Sequence, residues 1–235
     1  VGKLQVSVNS NTEFSKPFAL PEFQNRYGTG TRGKTGGTTT LSWGPLLNNA
    51  ARTGFEPKEF FDTGLIFTNS VTLSTGTDKN QTFFSAASVN SQGIVPNNRY
   101  NRFNFTFRNT TNFLNDRMKL DVGASYIIQN DRYWIAYRNL RLNQKKRYML
   151  SAQLSYDITD WLNIAGRVRV DNSHTKYEQK LYASSNATIT EESTQGHYTI
   201  AKPDETQTYA DVLANINKRF GDYSLVANVD ASIVN

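Results

Sequence analysis

The 235-residue chain is only 37% hydrophobic, with a mean hydropathy of −0.57, yet it carries 12 Tyr and 14 Phe; apolar content held in rings argues against both a compact aliphatic core and intrinsic disorder. The net charge of +6 would suit nucleic acid only if the basic residues clustered, but the densest run is Lys145-Lys146-Arg147 and the other arginines are scattered singly, so no nucleic-acid partner is expected. Cysteine is absent, which excludes disulfides and thiolate metal sites.

Period-two alternation, the mark of a strand with two unlike faces, runs through the chain. It is weak over Leu4 to Val8, Leu65 to Leu73 and Phe83 to Val89. It becomes clear where Phe103, Phe105 and Phe107 oppose Arg102, Asn104, Thr106 and Arg108, and where Met118, Leu120, Val122, Ala124, Tyr126 and Ile128 oppose Lys119, Asp121, Gly123 and Ser125. Leu150, Ala152, Leu154 and Tyr156 then oppose Ser151, Gln153 and Ser155; Leu162, Ile164, Val168 and Val170 oppose Asn163, Arg167 and Arg169. Ala210, Val212, Ala214 and Ile216 oppose Asp211 and Asn215, and Leu225, Ala227, Val229 and Ile233 oppose Asn228 and Asp230. Nine strands are thus predicted, many near the roughly 9–11 residues that a tilted strand needs to cross a bilayer.

The connections alternate in length. Residues 115–117, 159–161 and 221–222 are tight, while 9–64, 129–146 and 173–206 are long, as in outer-membrane barrels with short periplasmic turns and long extracellular loops. No apolar run of the roughly 18 residues needed for a transmembrane helix occurs. The fold predicted is all-β, a transmembrane antiparallel β-barrel with Arg102, Arg108, Arg167 and Arg169 facing a wet lumen. Tyr100, Phe113, Tyr148, Trp161, Phe220 and Tyr223 fall where interfacial girdles sit. Val1-Gly2-Lys3-Leu4 and Ile233-Val234-Asn235 both lie in strand-like pattern, so the chain reads as a piece of a longer barrel.

Several short motifs carry a family resemblance: Tyr27-Gly28-Thr29-Gly30, Trp43-Gly44-Pro45, Phe60-Phe61-Asp62-Thr63-Gly64, Thr68-Asn69-Ser70-Val71-Thr72-Leu73-Ser74, Gly93-Ile94-Val95-Pro96-Asn97-Asn98 and Tyr156-Asp157-Ile158-Thr159-Asp160-Trp161-Leu162. In order and spacing the chain resembles the SusC-like (SusC/RagA) branch of TonB-dependent outer-membrane transporters over nearly its whole length. The resemblance implies a 22-stranded barrel in the Gram-negative outer membrane, of which residues 1–235 form part of the wall, the plug domain being absent. It implies import of oligomeric nutrients, glycans or peptides, with a SusD-like surface lipoprotein as lid and with energy from the TonB complex acting through the plug. One departure stands out: family members carry a longer external loop between Gln129 and Tyr133, where here only Asn130-Asp131-Arg132 intervene, as though a segment were missing.

No catalytic residue, metal site or cofactor is expected. His174 and His197 are far apart in sequence without cysteine partners, and Gly28, Gly30, Gly33, Gly36 and Gly37 match neither a P-loop nor a dinucleotide fingerprint. Trp43, Tyr133, Trp134, Tyr137 and Arg138 are the substrate-binding candidates, since aromatic faces and guanidinium donors suit sugars and peptides and all five fall in or beside predicted external loops. A passive porin and a surface glycan-binding β-protein are the rival readings; the first shares the wall but lacks the plug, and the second predicts shorter strands and a dry inner face.

Overall fold

The structure, a computed structural model, describes residues 2–22, 24–35, 41–47, 56–135, 139–183, 185, 188, 190 and 194–235. In chain order the elements are β1 (Gln5–Ser15), β2 (Gly30–Thr31), β3 (Lys34–Thr35), a single 3-10 turn (Pro57–Phe60), β4 (Gly64–Gly76), β5 (Asn80–Gln92), β6 (Arg99–Phe113), β7 (Met118–Ile135), β8 (Asn139–Thr159), β9 (Leu162–Leu181), β10 (His197–Ala201), β11 (Asp204–Phe220) and β12 (Tyr223–Val234). The protein is all-β. One antiparallel sheet runs β1-β4-β5-β6-β7-β8-β9-β11-β12, with β10 paired to β9 and β2-β3 forming a separate small hairpin.

Register assigns every side chain to a face, because residues directly opposite in an antiparallel pair point the same way. One row runs Val8, Val71, Ala86, Phe105, Tyr126, Tyr148, Asn172, Thr206. Nearer the tight turns, Ala152, Val168, Ala210 and Ile233 share a row on the same face. The alternating apolar sets of the other eight predicted strands thus fall on one face, where Phe105, Leu150, Val168, Val212 and Val229 are exposed; in β5 the set from Phe83 to Val89 is out of phase, since Phe83 and Val89 pair with Arg108 and Arg102 on the polar face and Phe84 and Ala86 take the apolar one. The other face carries Arg108, Asp121, Gln153, Arg167 and Asp211. Cavities of about 700 and 880 Å³ open on this polar face, against about 310 Å³ on the apolar one, so the polar face is the hollow one.

The register also sets a slope. From the row through Val8 and Thr206, the end of β4 at Gly76 lies five residues from Val71 and the end of β6 at Phe113 lies eight from Phe105. The end of β8 at Thr159 lies eleven from Tyr148, and that of β11 at Phe220 fourteen from Thr206. Each hairpin therefore climbs three residues, roughly 10 Å of strand, across two strand spacings of roughly 4.8 Å. With the tight turns in one plane, the strands tilt by about 45° to its normal. The apolar stretch climbs with the turns: Phe103 to Phe107 in β6, Met118 to Ile128 in β7, Tyr148 to Tyr156 in β8, Ala210 to Ile216 in β11. Along β7 it spans roughly 33 Å of strand, or about 24 Å along the normal at that tilt.

Aromatic residues edge this belt. At the tight-turn rim Lys218 places its Nζ 4.3 Å from the Trp161 ring centroid and 5.2 Å from that of Phe220, and Phe220 faces Tyr223 across the last hairpin. At the far edge Tyr126 faces Tyr148. Tyr100 corrects the girdle expected from sequence: it pairs with Asp131 on the polar face, because its position is out of phase with Phe103 and Phe105. At the tight-turn end of β5 and β6 the apolar face has a polar corner, where Asn80 Nδ2 donates to Thr111 Oγ1 (2.7 Å) and Asn109 Nδ2 to Thr82 Oγ1 (2.8 Å).

Little of this sheet is covered. Among the described residues the buried apolar side chains are Leu140, Ala165 and Leu181. The chain exposes 16807 Å², where a compact protein of 26.5 kDa would expose about 11,000 Å². Among the described residues no strand pairs with the outer edge of β1 or of β12, and such edges are templates for further strands. Among the described residues no helix is long and apolar enough to cross a membrane, which says nothing about strands.

Three connections differ from the boundaries drawn by alternation. The ladder continues through residues 9–15, 129–135, 139–146, 173–181 and 204–206, so the connections lie at 16–63, 136–138 and 182–203. These extensions pair by backbone while their outward side chains turn polar, as where Ser10 Oγ donates to Asn69 Oδ1 at 2.7 Å; strand and loop then share a composition. The short 129–133 connection is likewise absent: Gln129 and Tyr133 lie within β7, opposite Lys145 and Arg141 of β8.

Candidate functional site

The polar face of β6 to β11 holds a hollow of about 700 Å³ lined by Arg108, Arg147, Arg167, Arg169, Asp121, Asp171 and Tyr209, with Gly123 and Ser151 among its other residues. Two rows build it. Thr110, Asp121, Gln153, Arg167 and Asp211 lie side by side, and one step further from the tight turns come Arg108, Gly123, Ser151, Arg169 and Tyr209.

Two of the four arginines are spent on aspartates. Arg147 donates Nε to Asp171 Oδ1 (2.7 Å) and Nη2 to Asp171 Oδ2 (2.5 Å). Arg167 donates Nε to both oxygens of Asp211 at 2.9 Å, with Nη2 also on Oδ2. Tyr209 donates its hydroxyl to Asp211 Oδ2 at 2.5 Å, and the Asp211 side chain is left with 0% exposure. Such two-pronged guanidinium–carboxylate pairs fix geometry as well as charge. Asp121 is held by Thr110 (2.5 Å) and Lys119 (3.3 Å).

Arg108 and Arg169 are not spent. Among the described residues Arg108 makes no ion pair, and Arg169 reaches only a 3.6 Å contact with Asp171, which Arg147 already holds, and a 3.6 Å contact with Met149 Sδ. The floor between them is Gly123 and Ser151, the smallest pair in the row. A Cβ at position 123 would come within 2.8 Å of Ser151 Oγ, so the glycine keeps the floor low.

Of the arginines expected to face the lumen, Arg108, Arg167 and Arg169 meet in this hollow. Arg102 lies on the same face higher up, where its Nε donates to Asn104 Oδ1 at 2.9 Å. The substrate candidates do not converge. Tyr133 faces the polar side opposite Arg141, whereas Trp134 faces the other side opposite Leu140, because neighbours on a strand point opposite ways. Trp134 stacks on Tyr182 at 6.4 Å beneath Arg132 at 5.5 Å. Trp43 sits in a loop pinned by backbone bonds to Gly30 and Gly33, with its side chain 67% exposed. Tyr137 and Arg138 lie outside the described residues.

Beyond the belt, β9 and β10 carry an ion cluster. Glu178 accepts from Lys180 (3.0 Å), Lys176 (3.4 Å) and the Tyr198 hydroxyl (3.2 Å). The Lys180 ammonium, helped by Tyr198 and Lys176 against partial burial, holds its carboxyl below the usual range. Partial burial, then the Asp131 charge, pushes the Tyr133 phenol up. His174 meets Asp204 at 2.6 Å. Among the described residues no three metal-ligating side chains are grouped to hold an ion.

The alternation already places Arg167 and Asp211 on the polar side, but not beside one another. Arg167 and Asp211 are 44 residues apart, and only register joins them. Comparison of the chain with protein-family profiles and with curated proteins finds no match.

Proposed function

We propose that this chain is wall of an outer-membrane β-barrel that imports oligomeric nutrients in a TonB-dependent manner, as a SusC-like transporter working with a SusD-like surface lipoprotein. The observation that carries the membrane reading is the apolar belt: exposed, up to about 24 Å tall along β7, and climbing with the tight turns at the slope of transmembrane strands. A sheet in water gains nothing from such a belt, and a hydrocarbon layer roughly 25–30 Å thick matches it. The paired aspartates and arginines on the hollow face suit a wet lumen. The tight turns would then be periplasmic and residues 16–63 and 182–203 extracellular, where a lipoprotein lid would meet them. The branch within the transporters rests on the motifs from Tyr27 to Leu162.

The gene for the full-length protein is expected to be required for growth on at least one oligomeric glycan or peptide but not on its monomers. That growth should also be lost without TonB. Growth on the oligomer that persists without TonB would instead indicate a passive porin.

A further inference from the structure

The four arginines of the hollow divide by function. Arg147 and Arg167 each hold one aspartate with both prongs, so their charge and donors are used inside the wall. Arg108 and Arg169 stand at the two ends of the row Arg108, Gly123, Ser151, Arg169 with donors to spare. Three strand spacings separate them, about 14 Å between backbones, and each arginine side chain reaches roughly 6 Å from its Cα. Both forks therefore reach a single planar anion lying over Gly123 and Ser151. Arg169 already leans that way, since its Nη2 touches Met149 on β8, the strand toward Arg108.

From this geometry we infer that Arg108 and Arg169 bind a carboxylate of the transported oligomer above the Gly123–Ser151 floor, which makes the cargo acidic. The inference rests on the import reading for its source of ligand. A carboxylate is planar and accepts a guanidinium fork on each edge, and the free charge of Arg108 together with the loosely held Arg169, 3.6 Å from an Asp171 that Arg147 already neutralises, is matched by one carboxylate. A hollow of about 700 Å³ lies within the size range of small-ligand sites. Ser151 and Tyr209 offer hydroxyls beside it, as an oligomer bearing further polar groups requires. Asp171 and Asp211 are covered by their own arginines, and Asp121, the third carboxylate of the hollow, is held by Lys119 and Thr110.

The test is equilibrium binding to the purified full-length protein in detergent at constant ionic strength, with trigalacturonate and triglutamate as carboxylate probes and maltotriose as the neutral one. At least one acidic probe should bind, and which one does separates a uronate cargo from an acidic peptide. R108Q and R169Q should each weaken that binding about tenfold, the loss of one charge-assisted contact. S151L, which fills the floor without touching a charge, should also weaken it. Arg108 pairs with no aspartate among the described residues, and Arg169 makes only a 3.6 Å contact with Asp171, which Arg147 holds, so these variants keep the two-pronged pairs of the wall, and an unchanged unfolding midpoint confirms their fold. Failure of both acidic probes to bind the wild type, or binding that R108Q, R169Q and S151L leave unaltered, would overturn the inference. Binding in detergent needs no TonB, so its failure and a failure of the growth test are separate outcomes.

Discussion

Arginine in place of Phe105 is expected to remove about 1–3 kcal/mol of folding stability in lipid, the cost of a cation on the hydrocarbon face between the midplane and the far edge of the belt. Phe105 lies in the middle of β6, flanked by Ala86 and Tyr126 on the same face, and its ring is 41% exposed. Neither neighbour in its row, Ala86 or Tyr126, is a carboxylate with which a guanidinium could pair. The reverse exchange three residues away should be mild. Arg108 points into the hollow and makes no ion pair among the described residues, so Arg108→Phe should change stability by no more than about 0.5–1 kcal/mol. Denaturant titration of the full-length protein in liposomes compares the two. Equal losses would show that the faces are assigned wrongly.

Arg167→Met is expected to be the most destabilising single change on the polar face, and adding Asp211→Asn to it should restore most of the loss. Asp211 has no exposed side-chain area and keeps its charge only through the two-pronged Arg167 and the Tyr209 hydroxyl. Taking away the guanidinium leaves a closely packed carboxylate without its two-pronged donor, and losing one partner of such a pair costs more than removing both. Asp211→Asn alone should be the gentler variant, because Arg167 is 44% exposed and can turn to solvent. The same titration on the wild type, the two single variants and the double variant makes the comparison. A double variant no better than Arg167→Met would mean that packing, not the loss of the carboxylate's partner, sets the cost.

How much of this was legible before the structure depends on which physical signal each feature leaves in a sequence. The phase of most strands was readable, because sets such as Phe103, Phe105 and Phe107 alternate with polar neighbours and burying one face in an apolar medium demands that pattern; in β5 Phe83 and Phe84 are adjacent and small residues follow on both faces, so its phase was not. Nine predicted strands correspond to the nine on the continuous path, with β10 a further short strand on β9. The ends of β1, β7, β8 and β9 were not readable, since beyond the belt Asn, Ser, Thr and Lys occupy both faces and the ladder is held by backbone bonds that every residue can make. For the same reason Trp134 was grouped with Tyr133, when one position of difference puts them on opposite sides of the sheet. The arginine hollow was half visible. Arg108, Arg167 and Arg169 had the right phase, but Arg147 lay in a basic run that reads as solvated surface, and its contact with Asp171, 24 residues away, is a matter of register. Gly123 carries no sequence signal of its own; its meaning comes from Ser151 and the two arginines beside it.

The central claim is that one face of this sheet meets hydrocarbon and the other a polar interior. Nitroxide scanning of β9 tests it most directly. The chain has no native cysteine, so single cysteines from Ile164 to Val170, placed in a cysteine-free background of the full-length protein and reconstituted in liposomes, give an unambiguous label at each position. Collision with oxygen, which concentrates in the bilayer, should peak at Ile164, Gly166, Val168 and Val170, the apolar face, and fall at Ala165, Arg167 and Arg169. Oxygen maxima at the odd positions, or a profile with high access to a water-soluble nickel chelate at every position, would contradict the account.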